Sequence, residues 1–171
     1  MKGDGERGDA FLEMKRKYPD QPIIGVGGII FREDQVLLIK RGMEPSLGQW
    51  SIPGGVVLIG ETLEEAVRRE IFEETHLEVQ VLTLVKVLER VFRDSDGRVA
   101  YHYVLVDFLC HCLSGELRSD SDAQDARFVN LQDLPSYRIA PITVEVISRA
   151  DRLRRNPELW NSVASNGKFY G

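Results

Sequence analysis

Apolar runs of the roughly 18 residues that a membrane-spanning helix needs are absent from this chain. Its first residues, MKGDGERGDA, also lack the apolar stretch of a signal peptide. Cysteine is scarce: only Cys110 and Cys112 occur, two positions apart on one expected strand and so on the same face. That spacing suits neither a disulfide framework nor a zinc site, and buried reduced thiols are expected. Positive charge is in deficit as well, with 22 Lys and Arg against 27 Asp and Glu, a net charge of −5 and a pI near 5.3. Polyanionic partners select clustered positive charge, so no nucleic acid and no membrane surface is expected as a partner. These absences point to a cytoplasmic, soluble protein acting on small molecules.

A length of 171 residues with 43% hydrophobic content suffices for one globular domain with short extensions. Residues 1–22 read as an N-terminal extension with a short helix over Phe11 to Tyr18, interrupted by Pro19 and Pro22. The domain proper runs over 23–155. Ile23 to Phe31 and Gln35 to Arg41 are apolar runs flanking Arg32-Glu33-Asp34, which predicts a hairpin. Ile52 to Leu58 reads as a short glycine-bent strand leading to a helix over Thr62 to Thr75. Glu78 to Arg93 and Arg98 to Leu113 are long strands separated by the turn Asp94-Ser95-Asp96-Gly97. The second is apolar on both faces, Val104, Val106 and Phe108 on one and Tyr103, Leu105 and Leu109 on the other, so it needs cover on both sides. A polar loop, Ser114 to Gln124, precedes a strand over Ala126 to Leu131. Pro141 fits the first turn of a last helix with the stripe Val146, Ile147, Ala150 and Leu153. Helical layers on both sides of a mixed sheet, an α/β fold, follow from this pattern. The tail 156–171 carries Trp160, Phe169 and Tyr170, apolar enough to dock on the body or on a second subunit of a homodimer.

Chemistry concentrates between Gly55 and Leu77, GVVLIGETLEEAVRREIFEETHL. Leu63, Val67 and Ile71 recur at helical spacing and form a buried stripe. Glu70, Glu73 and Glu74 lie beside it, and residues three and four apart share a helix face. Three ionised acids converging there favour a divalent cation. A solvated amphipathic surface with ion pairs such as Arg69 with Glu73 explains a run of acids alone. It does not explain the turn Pro53-Gly54-Gly55, the second glycine Gly60, or acids bordering the apolar stripe.

Gly55, Glu61, Arg69, Glu70, Ile71, Glu73, Glu74 and Leu77 stand at the spacing of the Nudix box, and the segment resembles that family's signature. His76 is the one departure, standing where the pattern has glycine. Histidine tolerates the left-handed conformation that ends such a helix, and its partial positive charge suits a helix C-terminus. The approach Gly48 to Gly55, GQWSIPGG, is also similar to that of many members. The resemblance implies a Nudix-type α/β/α sandwich around a mixed β-sheet and a Mg²⁺-dependent hydrolase of pyrophosphate bonds, with Mn²⁺ able to substitute. It further implies Glu73 and Glu74 as the principal metal ligands, Glu70 as ligand, general base or both, and a backbone carbonyl near Gly54 or Gly55 as another ligand. Arg69 then holds Glu73, and Glu61 supports the site from farther out.

In many members the base lies outside the box, so Asp120, Asp122 and Asp125 remain candidates beside Glu70, with Asp125 and Asp122 the additional acids before Arg127-Phe128. A solvated turn explains them equally well. Arg41, ending the second strand, and Tyr103, on a strand that often faces substrate in the family, are candidate substrate-binding residues, while Trp50 is read as a packing residue. The resemblance implies a nucleoside diphosphate linked to another moiety as substrate, ADP-ribose or a related nucleotide sugar above others. One recognised ADP-ribose group carries a proline where this chain has Val91-Phe92-Arg93. The alternatives are a nucleoside triphosphate pyrophosphatase and a nucleotide sensor without turnover.

Overall fold

β1 (Ile23–Arg32) is the hub of the sheet, and every residue from Gly25 to Ile30 is buried. A computed structural model describes residues 15–120 and 123–159 of the chain. On one side β1 runs parallel to β6 (Val99–Gly115), pairing Ile23 with Tyr103 through Ile30 with Cys110. Its other edge is shared. β4 (Gly54–Val56) pairs antiparallel with Gly25 to Gly27, and β2 (Gln35–Arg41) joins only at Phe31 and Arg32. β2 also pairs antiparallel with β3 (Trp50–Ser51) and β7 (Ala123–Asn130). β5 (Leu77–Arg93) completes the seven strands as the antiparallel partner of β6. The expected turn between them forms around Asp94, whose Oδ1 accepts from the backbone N–H groups of Asp96 and Arg98.

The sheet has cover on both faces, as the two apolar faces of β6 require. α1 (Leu63–Thr75) seals one side with Ala66, Val67 and Ile71 against Val26, Ile30, Val106 and Phe108. α2 (Pro141–Arg155) seals the other with Val146, Ile147 and Ala150 against Ile29, Val36, Leu38 and Leu109. The fold is the α/β/α sandwich around a mixed sheet. Cys110 is a buried free thiol of the first core, and Cys112 is free and half-buried.

Local chemistry fixes both ends of α1. Thr62 Oγ1 accepts from the Glu65 backbone N–H at 3.2 Å, while Glu65 Oε2 accepts from the Thr62 N–H at 2.8 Å, a reciprocal cap of two otherwise orphaned donors. At the other end His76 takes the left-handed conformation, φ 58° and ψ 20°, and its Nε2 lies 3.1 Å from Asp120 Oδ2.

The structure departs from the sequence reading in several elements. The strand expected over Ile52 to Leu58 is shorter: β4 covers Gly54–Val56 and starts only after Pro53, which has no N–H for the ladder, while β3 precedes it. β7 begins at Ala123 because β2 offers partners as far as Arg41. A 3-10 helix, Leu131–Ser136, was not expected. The expected helix at Phe11 to Tyr18 lies partly outside the described residues, and Lys15 to Tyr18 are not helical, with Tyr18 at φ 53°. Trp160, Phe169 and Tyr170 lie outside them as well.

Removing the Thr62 cap should destabilise the fold without altering its core. Thr62→Ala is expected to lower the unfolding free energy by about 1 kcal/mol, read as a shifted denaturant midpoint with unchanged slope. No change in midpoint would show that the cap does not stabilise the intact protein.

Candidate active site

α1 presents its acids to the two glycines of β4. Glu74 is 4% exposed, and its Oε2 accepts from the Gly54 backbone N–H at 2.8 Å. Glu70 sits over Gly55 so closely that a Cβ there would lie 2.3 Å from the Glu70 carboxyl carbon. Only glycine leaves room for that carboxylate. Burial raises the Glu70 pKa, against the opposing pull of Arg69.

Arg69 ties the outer side together. Its Nε and Nη2 donate to both oxygens of Glu61 at 2.6 and 2.9 Å, a two-pronged grip. Nη2 also donates to the Val56 carbonyl at 3.0 Å, and Nη1 donates to Glu70 at 2.8 Å and to Glu73 at 3.1 Å. The expected Arg69–Glu73 pair therefore exists, yet Glu61 is the closer partner. That bond holds Glu61 below the usual carboxylate range, and Glu61 in turn accepts from the Leu58 N–H at 2.9 Å.

The expectation that Glu70, Glu73 and Glu74 converge needs correction in one respect. Among the described residues no three acids, histidines or cysteines stand together as a ready ligand set. Glu74 turns inward to the Gly54 N–H, whereas Glu70 and Glu73 turn to the Arg69 guanidinium. The donor set nevertheless fits a hard dication: the carboxylates of Glu70, Glu73 and Glu74 and the backbone carbonyls of the glycine strand are all oxygen donors.

Gly54 and Gly55 also form the wall of a cleft on the α2 side of the sheet, lined further by Arg41, Arg90, Phe92, Tyr103 and Asp107. Arg41 and Tyr103, each a candidate from the sequence, thus line the same cleft. Arg90 was missed. Burial and the like charge of Arg41 lower its pKa, and its guanidinium lies 5.0 Å from the Phe92 ring centre. The cleft thereby gathers positive charge that anionic oxygens would relieve. Alternation along β5 carries the signal for Arg90, because Leu88, Arg90 and Phe92 fall on one face.

Asp107 was missed too, although an acid between Leu105 and Leu109 on a core-facing row is itself a signal. It is 5% exposed, and burial pushes its pKa up to about 7.

The downstream acids do not gather on α1. Asp125 pairs with Arg127, whose guanidinium lies 4.9 Å from the Trp50 ring centre. β7 turns Val129, two and four residues from Arg127 and Asp125, toward the α2 core, and Phe128 toward the α1 core. Asp125 therefore shares a face with Val129, away from the acidic helix. Asp120 is close to α1, but at its C-terminal end beside His76. Asp122 lies outside the described residues. Trp50 packs, meeting Tyr137 edge to face at 5.3 Å.

Asp107 makes a pH prediction. Its pKa stands near 3.8 unfolded and about 7 folded, so its burial costs nothing below the first value and the full amount above the second. Lys86 on β5, paired with Glu145 on α2, acts on it directly, and Arg16, Arg41 and Arg90 line the same cleft. Unfolding free energy should fall as pH rises through this window, and Asp107→Asn should flatten that fall in chemical denaturation. Identical pH profiles for the two proteins would contradict the assignment.

Comparisons with known proteins agree with this geometry. The model of the NUDIX domain matches residues 21–150. The chain is 42% identical over 114 residues to an ADP-ribose pyrophosphatase of Methanocaldococcus jannaschii, covering 67% of this chain and 65% of that protein. It is 36% identical over 105 residues to the Escherichia coli nucleoside triphosphatase NudI, covering 57% of this chain and 71% of that one. The alignments thus span about 65% of the archaeal relative and 27% of a nematode one. A MutT NUDIX hydrolase of Burkholderia pseudomallei superposes with a TM-score of 0.66 at 33% identity, over 76% of this chain and 98% of that structure.

Proposed function

The chain belongs to the Nudix hydrolase family, and on that premise we propose that it cleaves the pyrophosphate bond of a nucleoside diphosphate linked to another moiety, with ADP-ribose or a related nucleotide sugar as substrate and Mg²⁺ as cofactor. One observation carries the proposal: the glycine strand Gly54–Gly55 has the carboxylates of Glu70 and Glu74 on one side and an arginine-bearing cleft on the other. A diphosphate at that wall would touch both.

Pyrophosphate resists hydrolysis because its oxygens repel an incoming hydroxide, so its charge must be neutralised and a water deprotonated. Glu70, Glu73, Glu74 and the Gly55 carbonyl would hold the ion, with Mn²⁺ an acceptable substitute. When bound, it supplies charge neutralisation and lowers the pKa of a coordinated water. Glu70 is the proposed base, since the burial that raises its proton affinity also suits it to take a proton. Arg69 positions Glu70 and Glu73 through Nη1 and is itself anchored by Glu61. Arg41 and Arg90 receive phosphate oxygens from the cleft side. The similarity to an ADP-ribose pyrophosphatase supports the choice of substrate. The similarity to a nucleoside triphosphatase favours a second reading, release of pyrophosphate from nucleoside triphosphates.

A panel of substrates with Mg²⁺ separates the two: ADP-ribose should yield AMP and ribose 5-phosphate. Turnover of triphosphates alone, with pyrophosphate released, would replace the first reading by the second. Glu73→Gln is expected to reduce turnover by at least about a hundredfold, and undiminished hydrolysis would remove Glu73 from the mechanism. Arg90→Ala should raise KM about tenfold, whereas an unchanged KM would show that Arg90 does not meet the substrate.

A further inference from the structure

The chemistry above leaves one buried acid of the cleft without a role. Asp107, on β6, is flanked across the sheet by Gly27 of β1 and Lys86 of β5. The Lys86 Nζ donates to Glu145 of α2 at 2.5 Å and acts on Asp107 through its charge alone. Among the described residues the Asp107 carboxyl has no hydrogen-bond partner, although its residue is 95% shielded from solvent, being 5% exposed. β1 makes way for it: a Cβ on Gly27 would lie 2.4 Å from Asp107 Oδ1. The residue lines the cleft, where the donor of a ligand can complete it.

The surroundings define that ligand. Among the described residues Asp107 is the one carboxyl group in the cleft lining, which also includes Ile52, Leu88, Leu105 and Val146. Phosphate is excluded as its partner, since like charges repel and the cleft has Arg41 and Arg90 for anions. A ribose would bring several hydroxyls to mostly apolar walls. A flat heterocycle with one donor edge satisfies both the walls and the acid.

Building on the nucleotide-hydrolase reading, we propose that Asp107 is a specificity-determining residue whose carboxyl accepts a hydrogen bond from the exocyclic amino group of the substrate's nucleobase. The cleft would then select adenine over its oxo counterpart, hypoxanthine. A carboxyl oxygen can accept from the amine in either protonation state, whereas an oxo group in the same place sets two acceptors against each other once the acid is ionised, so the preference is read at about pH 8.5, above the Asp107 pKa of about 7. A site built to receive an N–H rejects the analogue that lacks it, because its own buried group is then left unpaired.

Calorimetric titration of the full chain with AMP and with IMP, in the presence of Mg²⁺, tests this. The wild type should bind AMP at least about tenfold tighter than IMP. Asp107→Asn, whose amide can accept from an amino group or donate to an oxo group, should narrow that preference, and Asp107→Leu should abolish it. With ADP-ribose and its hypoxanthine analogue as substrates, Asp107→Leu should raise KM for the former and leave kcat within about twofold. Equal binding of AMP and IMP by the wild type overturns the proposal whether or not a variant folds. So does a preference that survives in Asp107→Leu, or a kcat that collapses in Asp107→Asn at unchanged KM. Hydrolysis of ADP-ribose without base preference would sink this proposal and spare the substrate reading. Preference for AMP without ADP-ribose hydrolysis would do the reverse.

Discussion

Two glycines of β4, Gly54 and Gly55, stand between the carboxylates of Glu70 and Glu74 and the cleft that Arg41 and Arg90 line. Gly55 admits the Glu70 carboxylate only because it has no Cβ, and the Gly54 N–H fastens Glu74 at 2.8 Å. β4 in turn is held to β1 by pairing at Gly25 to Gly27. The acidic helix is therefore placed relative to the cleft through backbone hydrogen bonds, which have few ways to adjust. That rigidity suits a site in which opposite charges must act on one substrate from two sides.

The charges are arranged so that neither side collapses onto the other. Arg69 satisfies Glu61, Glu70 and Glu73 on the outer face of α1, so the acids do not reach across to Arg41 and Arg90. On the α2 side Glu145 takes up Lys86, which keeps that ammonium off Asp107. Among the described residues the cleft lining keeps guanidinium charge at Arg16, Arg41 and Arg90 and one acid, Asp107. Anionic and donor groups of a nucleotide answer that combination.

Local signals in the chain were read well and non-local ones were not. The helix from Leu63 to Thr75, its left-handed end at His76 and the turn at Asp94 each depend on residues a few positions apart. The two-faced strand β6 foretold helices on both sides, because its apolar rows had to be covered. The strand expected from Ile52 starts only after Pro53 for a reason visible in the sequence, the missing N–H of proline. Arg90 and Asp107 escaped notice because their meaning depends on register: only the pairing of β6 with β1 sets Asp107 beside Gly27. The placing of Asp125 was open for the same reason, since the facing of β7 is decided by its pairing with β2. The box acids were legible in type and spacing, while their division between Arg69 and the Gly54 N–H was not.

Gly55→Ala probes the shared wall most directly. The added methyl group meets only the mobile end of Glu70, so the variant should fold, and AMP should still enter the cleft. Measured with ADP-ribose and Mg²⁺, its kcat is predicted to fall by at least about a hundredfold as the carboxylate is displaced. Turnover at the wild-type rate would contradict the account, for it would mean that the seat of Glu70 over Gly55 is irrelevant to the chemistry.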